Sequence, residues 1–183
     1  MKNNFLTISE EFYSLQGEGP STGKPAIFLR LAACNLNCPG FSYQDPMSKK
    51  HLGCDTKLIW KKGKRVSIEK ILLEWEEKKF LEQLKNGAHL VITGGEPLLQ
   101  ENRLETFIKN LDQILSKVFI EIETNGTILP TAYLKKRINQ FNVSPKLISS
   151  GENRQIAYQT PILQEFNQLS QTIFKFVIQN YED

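Results

Sequence analysis

The sequence predicts an α/β fold, an open or partial TIM-like barrel of parallel strands joined by crossover helices. Three observations predict it. Short apolar runs alternate with amphipathic stretches from Ser67 onward, and the glycine-rich and polar signatures fall just after those runs. The third is length: 183 residues are too few for eight strand–helix units, which take about 250 residues. Alternation of this kind implies a parallel sheet wound by right-handed crossovers. Such sheets bind ligands at the carboxyl ends of their strands, where the glycines here would lie.

Taken in order, the segment Glu11 to Pro20 sets Gln16 and Glu18 on a flexible turn around Gly17, and Gly23 to Arg30 follows as an apolar strand ending in Arg30. Ile68, Ile71, Leu72, Trp75, Leu81 and Leu84 recur at helical spacing and predict one helix, closed by Asn86-Gly87. Leu90-Val91-Ile92 is a strand ending in Thr93-Gly94-Gly95-Glu96-Pro97. Leu104, Phe107, Ile108, Leu111 and Leu115 mark a second amphipathic helix. Val118 to Ile122 form a strand leading into Thr124-Asn125-Gly126, and Pro130 opens another helix at its first position. Phe141-Asn142-Val143 is a short strand ending at Ser144-Pro145-Lys146. A helix near Pro161 to Leu169 precedes a last strand, Ile173 to Ile178.

The 40% hydrophobic share and plentiful Lys, Glu, Asn and Gln describe one soluble domain over 1–183, with a solvated surface and a single core. A net charge of +3 is mild and the Lys and Arg residues are scattered, and direct nucleic-acid binding is not expected. Lys61-Lys62-Gly63-Lys64-Arg65 is the one basic cluster, read as a solvated turn in preference to a phosphate patch. No stretch has the length of a membrane span, and the first residues lack the apolar core of a signal peptide. Free cysteines without an export signal point to a reducing cytoplasm.

The chain has three cysteines, Cys34, Cys38 and Cys54. A disulfide framework would leave one sulfur over, and the two histidines, His51 and His89, lie at no finger-like spacing for a structural zinc site. Three thiolates suit a cubane iron–sulfur cluster with one iron open to a non-protein ligand. About fifteen residues separate Cys38 from Cys54, and the insert at about 39–53 is expected to cover the cluster or build a nearby cation site. A longer loop is tolerable, since each doubling costs only about 0.6 kcal/mol.

Around the cysteines stand weaker motifs. The paired glycines Gly94 and Gly95 let a ligand approach bare backbone, and Glu96 would need a hydrogen-bonding or cationic partner, for which an ammonium group serves. A tight strand-to-helix turn with an acid favouring the helix dipole would use the same residues. Gln16 and Glu18 bracket Gly17, an amide beside a carboxylate that suits a heterocycle offering donors and acceptors. Arg30 offers a bidentate grip on a carboxylate, although a surface hairpin with an exposed arginine also fits. Thr56 carries a hydroxyl of the kind that joins a hard cation's oxygen shell. Glu121 and Glu123 share one face of a strand, turned to a polar interior or to solvent at an edge.

The cysteine triplet, Thr93-Gly94-Gly95-Glu96-Pro97 and the strand–helix alternation resemble the radical S-adenosylmethionine (SAM) superfamily. Within it the chain resembles the 7-carboxy-7-deazaguanine synthase family. Leu15-Gln16-Gly17-Glu18-Gly19, Arg30, Cys54-Asp55-Thr56, Glu123-Thr124-Asn125-Gly126-Thr127 and Ser144-Pro145-Lys146 carry that likeness in the family's order, over nearly the whole chain. The resemblance implies a lyase in which Cys34, Cys38 and Cys54 hold a 4Fe–4S cluster and SAM chelates the open iron. A radical made by reductive cleavage of SAM then starts the ring contraction of 6-carboxy-5,6,7,8-tetrahydropterin to 7-carboxy-7-deazaguanine, with loss of ammonia, in queuosine and 7-deazapurine biosynthesis. It implies a magnesium ion (Mg2+) at Thr56 and substrate contacts from Leu15, Gln16, Gly17, Glu18, Arg30 and Thr93. Contacts to SAM would come from Gly94, Gly95, Glu96, Ser144, Pro145 and Lys146. A homodimer and an electron donor such as flavodoxin or ferredoxin are implied as well.

Two features depart from that pattern. The superfamily's commonest spacing is C-x3-C-x2-C, and the sequence after Phe174-Lys175-Phe176 is shorter than the family's, which makes a truncated carboxyl terminus the expectation. Two other readings stay open. One is another radical SAM enzyme such as a glycyl-radical activase, which leaves Leu15 to Gly19 and Arg30 unexplained. The other is a non-catalytic descendant acting as a binding protein, which leaves the intact cysteine triplet unexplained.

Overall fold

The computed structural model describes residues 3–179, 181 and 183. Its centre is a seven-stranded sheet. In chain order the elements are β1 (Phe5–Leu15), β2 (Pro25–Leu31), β3 (Tyr43–Gln44), β4 (His51–Gly53), α1 (Lys57–Trp60) and β5 (Lys64–Ser67). Then come α2 (Ile68–Glu77), α3 (Phe80–Lys85), β6 (His89–Gly94), α4 (Glu101–Ile114) and β7 (Ile120–Thr124). Next are α5 (Ala132–Arg137), β8 (Gln140–Val143), α6 (Arg154–Ala157), α7 (Thr160–Asn167) and β9 (Thr172–Phe174). The strand order is β5-β1-β2-β6-β7-β8-β9. β2, β6, β7, β8 and β9 pair in parallel, β1 runs antiparallel to both its neighbours, and β3 and β4 form a separate antiparallel pair. The sheet is open, as the length requires.

Strand alternation sends one set of side chains to the helices. Ile27, Leu29 and Leu31 of β2, Leu90 and Ile92 of β6, Ile120 and Ile122 of β7, and Phe141 and Val143 of β8 join one buried core with Leu104, Phe107 and Leu111 of α4. Trp75 meets Phe107 edge-on at 5.4 Å, and Phe141 meets Phe166 at 5.6 Å. Fully burying one such side chain stabilises by about 1.5–3 kcal/mol, so this face carries most of the fold's driving force.

The opposite face starts apolar and turns polar. Ala26, Phe28 and Val91 form a small cluster with Phe12, whose ring stacks on Phe28 at 5.0 Å. Beyond it the same alternation presents Arg30, Thr93, Glu121, Glu123, Gln140 and Asn142. Glu121 is wholly buried and accepts from Gln140 Nε2 at 3.1 Å and Asn142 Nδ2 at 3.0 Å, with His89 Nδ1 at 2.7 Å. The two glutamates therefore face the polar interior, not solvent.

Three sequence expectations need correction. The helix expected from Ile68 to Leu84 is two helices, broken where Lys79 adopts the left-handed conformation at φ 65. Glu76 to Lys79 is an unbroken polar run with no apolar residue to hold the core face, and the bend returns Phe80 to within 6.0 Å of Trp75. Pro130 lies before α5, whose N-cap is Thr131, with its hydroxyl accepting from Leu134 N at 3.2 Å. A threonine oxygen can satisfy an orphan amide and so defines the start better than the proline's fixed φ. The last strand stops at Phe174, not Ile178. Lys175 N still reaches Val143 O at 2.8 Å, but the chain beyond β8 continues through Pro145, which has no N–H to extend the ladder.

Candidate functional site

A cavity of about 510 Å3 opens at the carboxyl ends of β2, β6, β7 and β8. Each wall comes from a different loop. The segment after β2 brings Cys34, Leu36 and Cys38; the end of β4 and the residues after it bring Gly53, Cys54, Asp55 and Thr56. The turn after β6 brings Gly95, and the segment after β8 brings Ser144 and Lys146.

The three cysteines are free thiols on this one cavity, packed with Leu36, Phe41 and Ala157 into a small apolar cluster. Burial pushes the Cys34 thiol up to about 11, partly opposed by Leu36 N donating to its sulfur at 3.4 Å. Burial likewise pushes Cys38 up to about 12, with the Lys146 charge pulling it down. Both are protonated thiols at neutral pH, so any metal they bind must displace protons. Among the described residues no group of three or more His, Cys, Asp and Glu side chains is arranged to hold one metal ion. Cysteines spread around a cavity suit a cluster, which takes one thiolate on each of three irons. Three free thiols lining one cavity are the donor set that such a cluster takes.

Close backbone packing sets the shape of the cavity. A Cβ on Gly95 would meet Ala33 O at 2.3 Å and Cys34 Cβ at 2.6 Å, so only glycine lets the turn lie against the cysteine loop. Ala33 at φ 74 and Cys38 at φ 44 both adopt the left-handed conformation, one at each end of that loop. Asn35 Nδ2 donates to Thr127 Oγ1 at 2.8 Å, and Asn125 Nδ2 donates to Asn35 Oδ1 at 3.0 Å, tying the loop to the turn after β7. The insert forms the β3–β4 hairpin, which puts Phe41, Ser42 and Tyr43 on the cavity, and His51 Nε2 lies 2.8 Å from Pro39 O. Cys54 Sγ is 3.3 Å from Thr56 Oγ1.

The floor is charged. Glu10 Oε1 accepts from Arg30 Nε at 2.7 Å, and Arg30 lines the cavity. Thr93 Oγ1 donates to Glu123 Oε2 at 2.8 Å, and Gln16 Nε2 approaches Glu123 Oε1 at 3.4 Å. Lys175 Nζ bridges Glu18 at 2.7 Å and Glu123 at 3.8 Å. On the upper wall Lys146 Nζ donates to Ser144 Oγ at 3.2 Å.

Of the residues singled out in the sequence, Glu18, Arg30, Thr93, Gly94, Gly95, Ser144, Lys146, Thr56 and the three cysteines line this cavity. Leu15, Gln16, Gly17, Pro145 and Glu96 are not among the lining residues. Leu15 and Gly17 are exposed, whereas Gln16 is buried and acts on the cavity through Glu123. Of the two kinds of partner expected for Glu96, hydrogen-bonding or cationic, the structure shows hydrogen-bond donors. Its carboxylate is fully buried and accepts from Leu98 N at 3.0 Å, Thr124 Oγ1 at 2.8 Å and Asn125 N at 2.7 Å. Burial pushes this carboxyl up to about 7, and the three donors pull the other way. Glu96 thus braces the glycine turn from beneath. Residues passed over in the sequence include Lys175, Asn142, Trp60 and Tyr43, which carry no motif and reach the cavity only through the fold.

No family model matches the chain. Curated relatives do. The 7-carboxy-7-deazaguanine synthase of Pyrobaculum aerophilum is 33% identical over 181 residues, covering 97% of this chain and 69% of that protein. That of Clostridium acetobutylicum is 33% identical over 180 residues, covering 96% and 70%. That of Hyperthermus butylicus is 39% identical over 130 residues, 70% of this chain but 46% of its own length. The crystal structure of QueE from Escherichia coli superposes with a TM-score of 0.49 at 20% identity, over 94% of this chain and 84% of that one. Two relatives at 33% identity match nearly all of this chain across more than two thirds of their own lengths, and the chain belongs to the 7-carboxy-7-deazaguanine synthase family.

Proposed function

We propose that this chain is a radical SAM lyase that converts 6-carboxy-5,6,7,8-tetrahydropterin to 7-carboxy-7-deazaguanine with loss of ammonia. The observation that carries the reading is the convergence of three free cysteines, a bare glycine turn and a charged floor on one cavity of about 510 Å3. Cys34, Cys38 and Cys54 would hold a 4Fe–4S cluster, and Gly94, Gly95, Ser144, Pro145 and Lys146 would hold SAM. When bound, these groups would supply one-electron chemistry able to abstract a hydrogen atom from a bound substrate.

The chain's own residues would orient the reactants and exclude water. Arg30, already gripped through Nε by Glu10, presents its terminal nitrogens to the substrate carboxylate. The Thr93–Glu123 pair and Glu18 offer donor and acceptor groups to the pterin edge, with Gln16 fixing Glu123 from behind. Leu15 and Gly17 shape the turn that carries Gln16 and Glu18. The hairpin with Phe41 and Tyr43 closes the cavity on the cysteine side and limits water. Thr56, beside Cys54, would contribute its hydroxyl to a Mg2+ ion near the substrate. The reading includes a homodimer working in the cytoplasm with an electron donor such as flavodoxin or ferredoxin. No helix of the described residues is long and apolar enough to cross a membrane.

The test is anaerobic reconstitution with iron and sulfide, then incubation with SAM, Mg2+, reductant and the carboxytetrahydropterin. Release of 7-carboxy-7-deazaguanine, identified by mass, is the expected result. SAM cleavage without any deazapurine would sink the reading.

A further inference from the structure

The cysteine loop is gripped by a segment more than a hundred residues further along the chain. After Lys146 the backbone makes a short 3-10 turn, Ile148–Ser150, followed by Gly151 and Glu152. Gly40 N donates to Ser150 O at 2.8 Å. A Cβ on Gly40 would meet Ser149 O at 2.2 Å and Gly151 N at 2.6 Å, so the two backbones touch directly. From this turn the Glu152 carboxylate reaches the loop, where one oxygen, Oε1, accepts the N–H groups of both Asn37 and Cys38. Cys38 stands at φ 44, a conformation that L side chains rarely adopt without a compensating contact. Successive amides ending in a left-handed residue make a small anion-binding concavity, and here the anion comes from the protein itself.

We propose that Glu152 is a positioning residue for the metal cluster. Its carboxylate holds the Asn37–Cys38 turn in the conformation that places Cys38 on the cavity, so the loop is shaped before metal arrives. The proposal rests on reading the three cysteines as cluster ligands. Charge-assisted bonds from two adjacent amides are stronger than neutral ones and fix direction, which a flexible loop between Cys34 and Cys38 would otherwise lack. The same carboxylate opposes ionisation of the nearby Cys38 thiol, so its benefit is to geometry and not to thiolate formation.

The experiment compares the unaltered chain with Glu152→Ala and Glu152→Gln. Hydrogen exchange of the cluster-free, reduced protein is read over residues 34–40 and over β6 and β7. In Glu152→Ala the amides of Asn37 and Cys38 should exchange roughly tenfold faster or more, with the sheet unchanged. After anaerobic reconstitution, iron should be lost to a chelator about 10- to 100-fold more readily. The electron paramagnetic resonance signal of the reduced cluster should also change shape. Glu152→Gln keeps an acceptor oxygen and should restore most of the protection and most of the iron retention. Unchanged exchange at residues 34–40, unchanged iron retention, or an equal loss of protection across the sheet would each overturn the proposal. If the unaltered chain takes up no iron and sulfide, the functional reading fails, while the exchange comparison still decides whether Glu152 orders the turn.

Discussion

The two faces of the central sheet are built from the same strands and obey opposite rules. On β7, Ile120 and Ile122 enter the helix-covered core while Glu121 and Glu123 enter the cavity side. On β8, Phe141 and Val143 go one way and Gln140 and Asn142 the other. The helix face gains stability by excluding water from interchangeable aliphatic shapes. The cavity face must satisfy each polar atom individually, because an unpaired one costs about 1–3 kcal/mol. One face therefore tolerates substitutions of similar volume, and the other tolerates few of any size.

The largest effect tests whether the cavity face carries the chemistry without carrying the fold. Cys34→Ala should abolish uptake of iron and sulfide and reduce deazapurine formation to background. Its unfolding midpoint in urea should stay near that of the unaltered chain. A large loss of stability in this variant would mean that the cysteine loop is part of the folding core.

Phe107→Ala is the counterpart on the helix face. Phe107 is fully buried and meets Trp75 edge-on at 5.4 Å, so truncation should cost about 3–5 kcal/mol. Equilibrium denaturation measures that loss, and iron per folded chain should be unchanged. If iron binding falls together with stability, the two faces are coupled more tightly than the comparison allows.

Between these lies Glu121→Ala, which removes a wholly buried acceptor and leaves His89, Gln140 and Asn142 without it. The expected cost is about 1–3 kcal/mol. A side chain truncated by a similar volume on the helix face could partly relax into the gap, whereas here Asn142 Nδ2 loses its acceptor and Gln140 Nε2 keeps only Asn142 Oδ1. Thermal unfolding of Glu121→Ala beside Ile122→Ala distinguishes a polar penalty from a cavity penalty.

The division between the faces explains what could be read from the chain alone. Strands β6, β7 and β8 and helix α4 were legible because burial imposes a period on neighbouring residues, and period is a local property. The cysteines, the Gly94-Gly95 turn and Lys146 were legible because their residue types are rare outside such sites. The break at Lys79 was not, because it depends on Phe80 folding back onto Trp75, which no spacing rule records. Glu96 was recognised as a carboxylate that needs a partner, but its donors Thr124 and Asn125 belong to the next strand and its following turn. Glu152 had no signal at all, since its acceptor role is defined only by a loop 114 residues away.

The smallest effect follows from Glu96 and concerns the seam between the two faces. Burial raises its carboxyl from an ordinary value of 4.5 to about 7, so the folded protein binds a proton more tightly than the unfolded chain between those values. A group raised in this way contributes stability below its unfolded pKa, and that contribution is lost as pH rises through about 7. Glu96→Gln removes the titration and also turns an N–H toward Asn125 N, where the carboxylate accepted, at a cost of about 1–3 kcal/mol that does not vary with pH. The unaltered chain should therefore exceed Glu96→Gln in stability most clearly near about pH 5, and the gap should narrow toward about pH 8. Urea midpoints of both proteins across that range give the sign directly. A gap that widens instead would mean that the donors from Leu98, Thr124 and Asn125 outweigh burial and that the turn beneath Gly95 is built around a carboxylate. In that case the seam belongs to the polar face's rule of satisfying every atom.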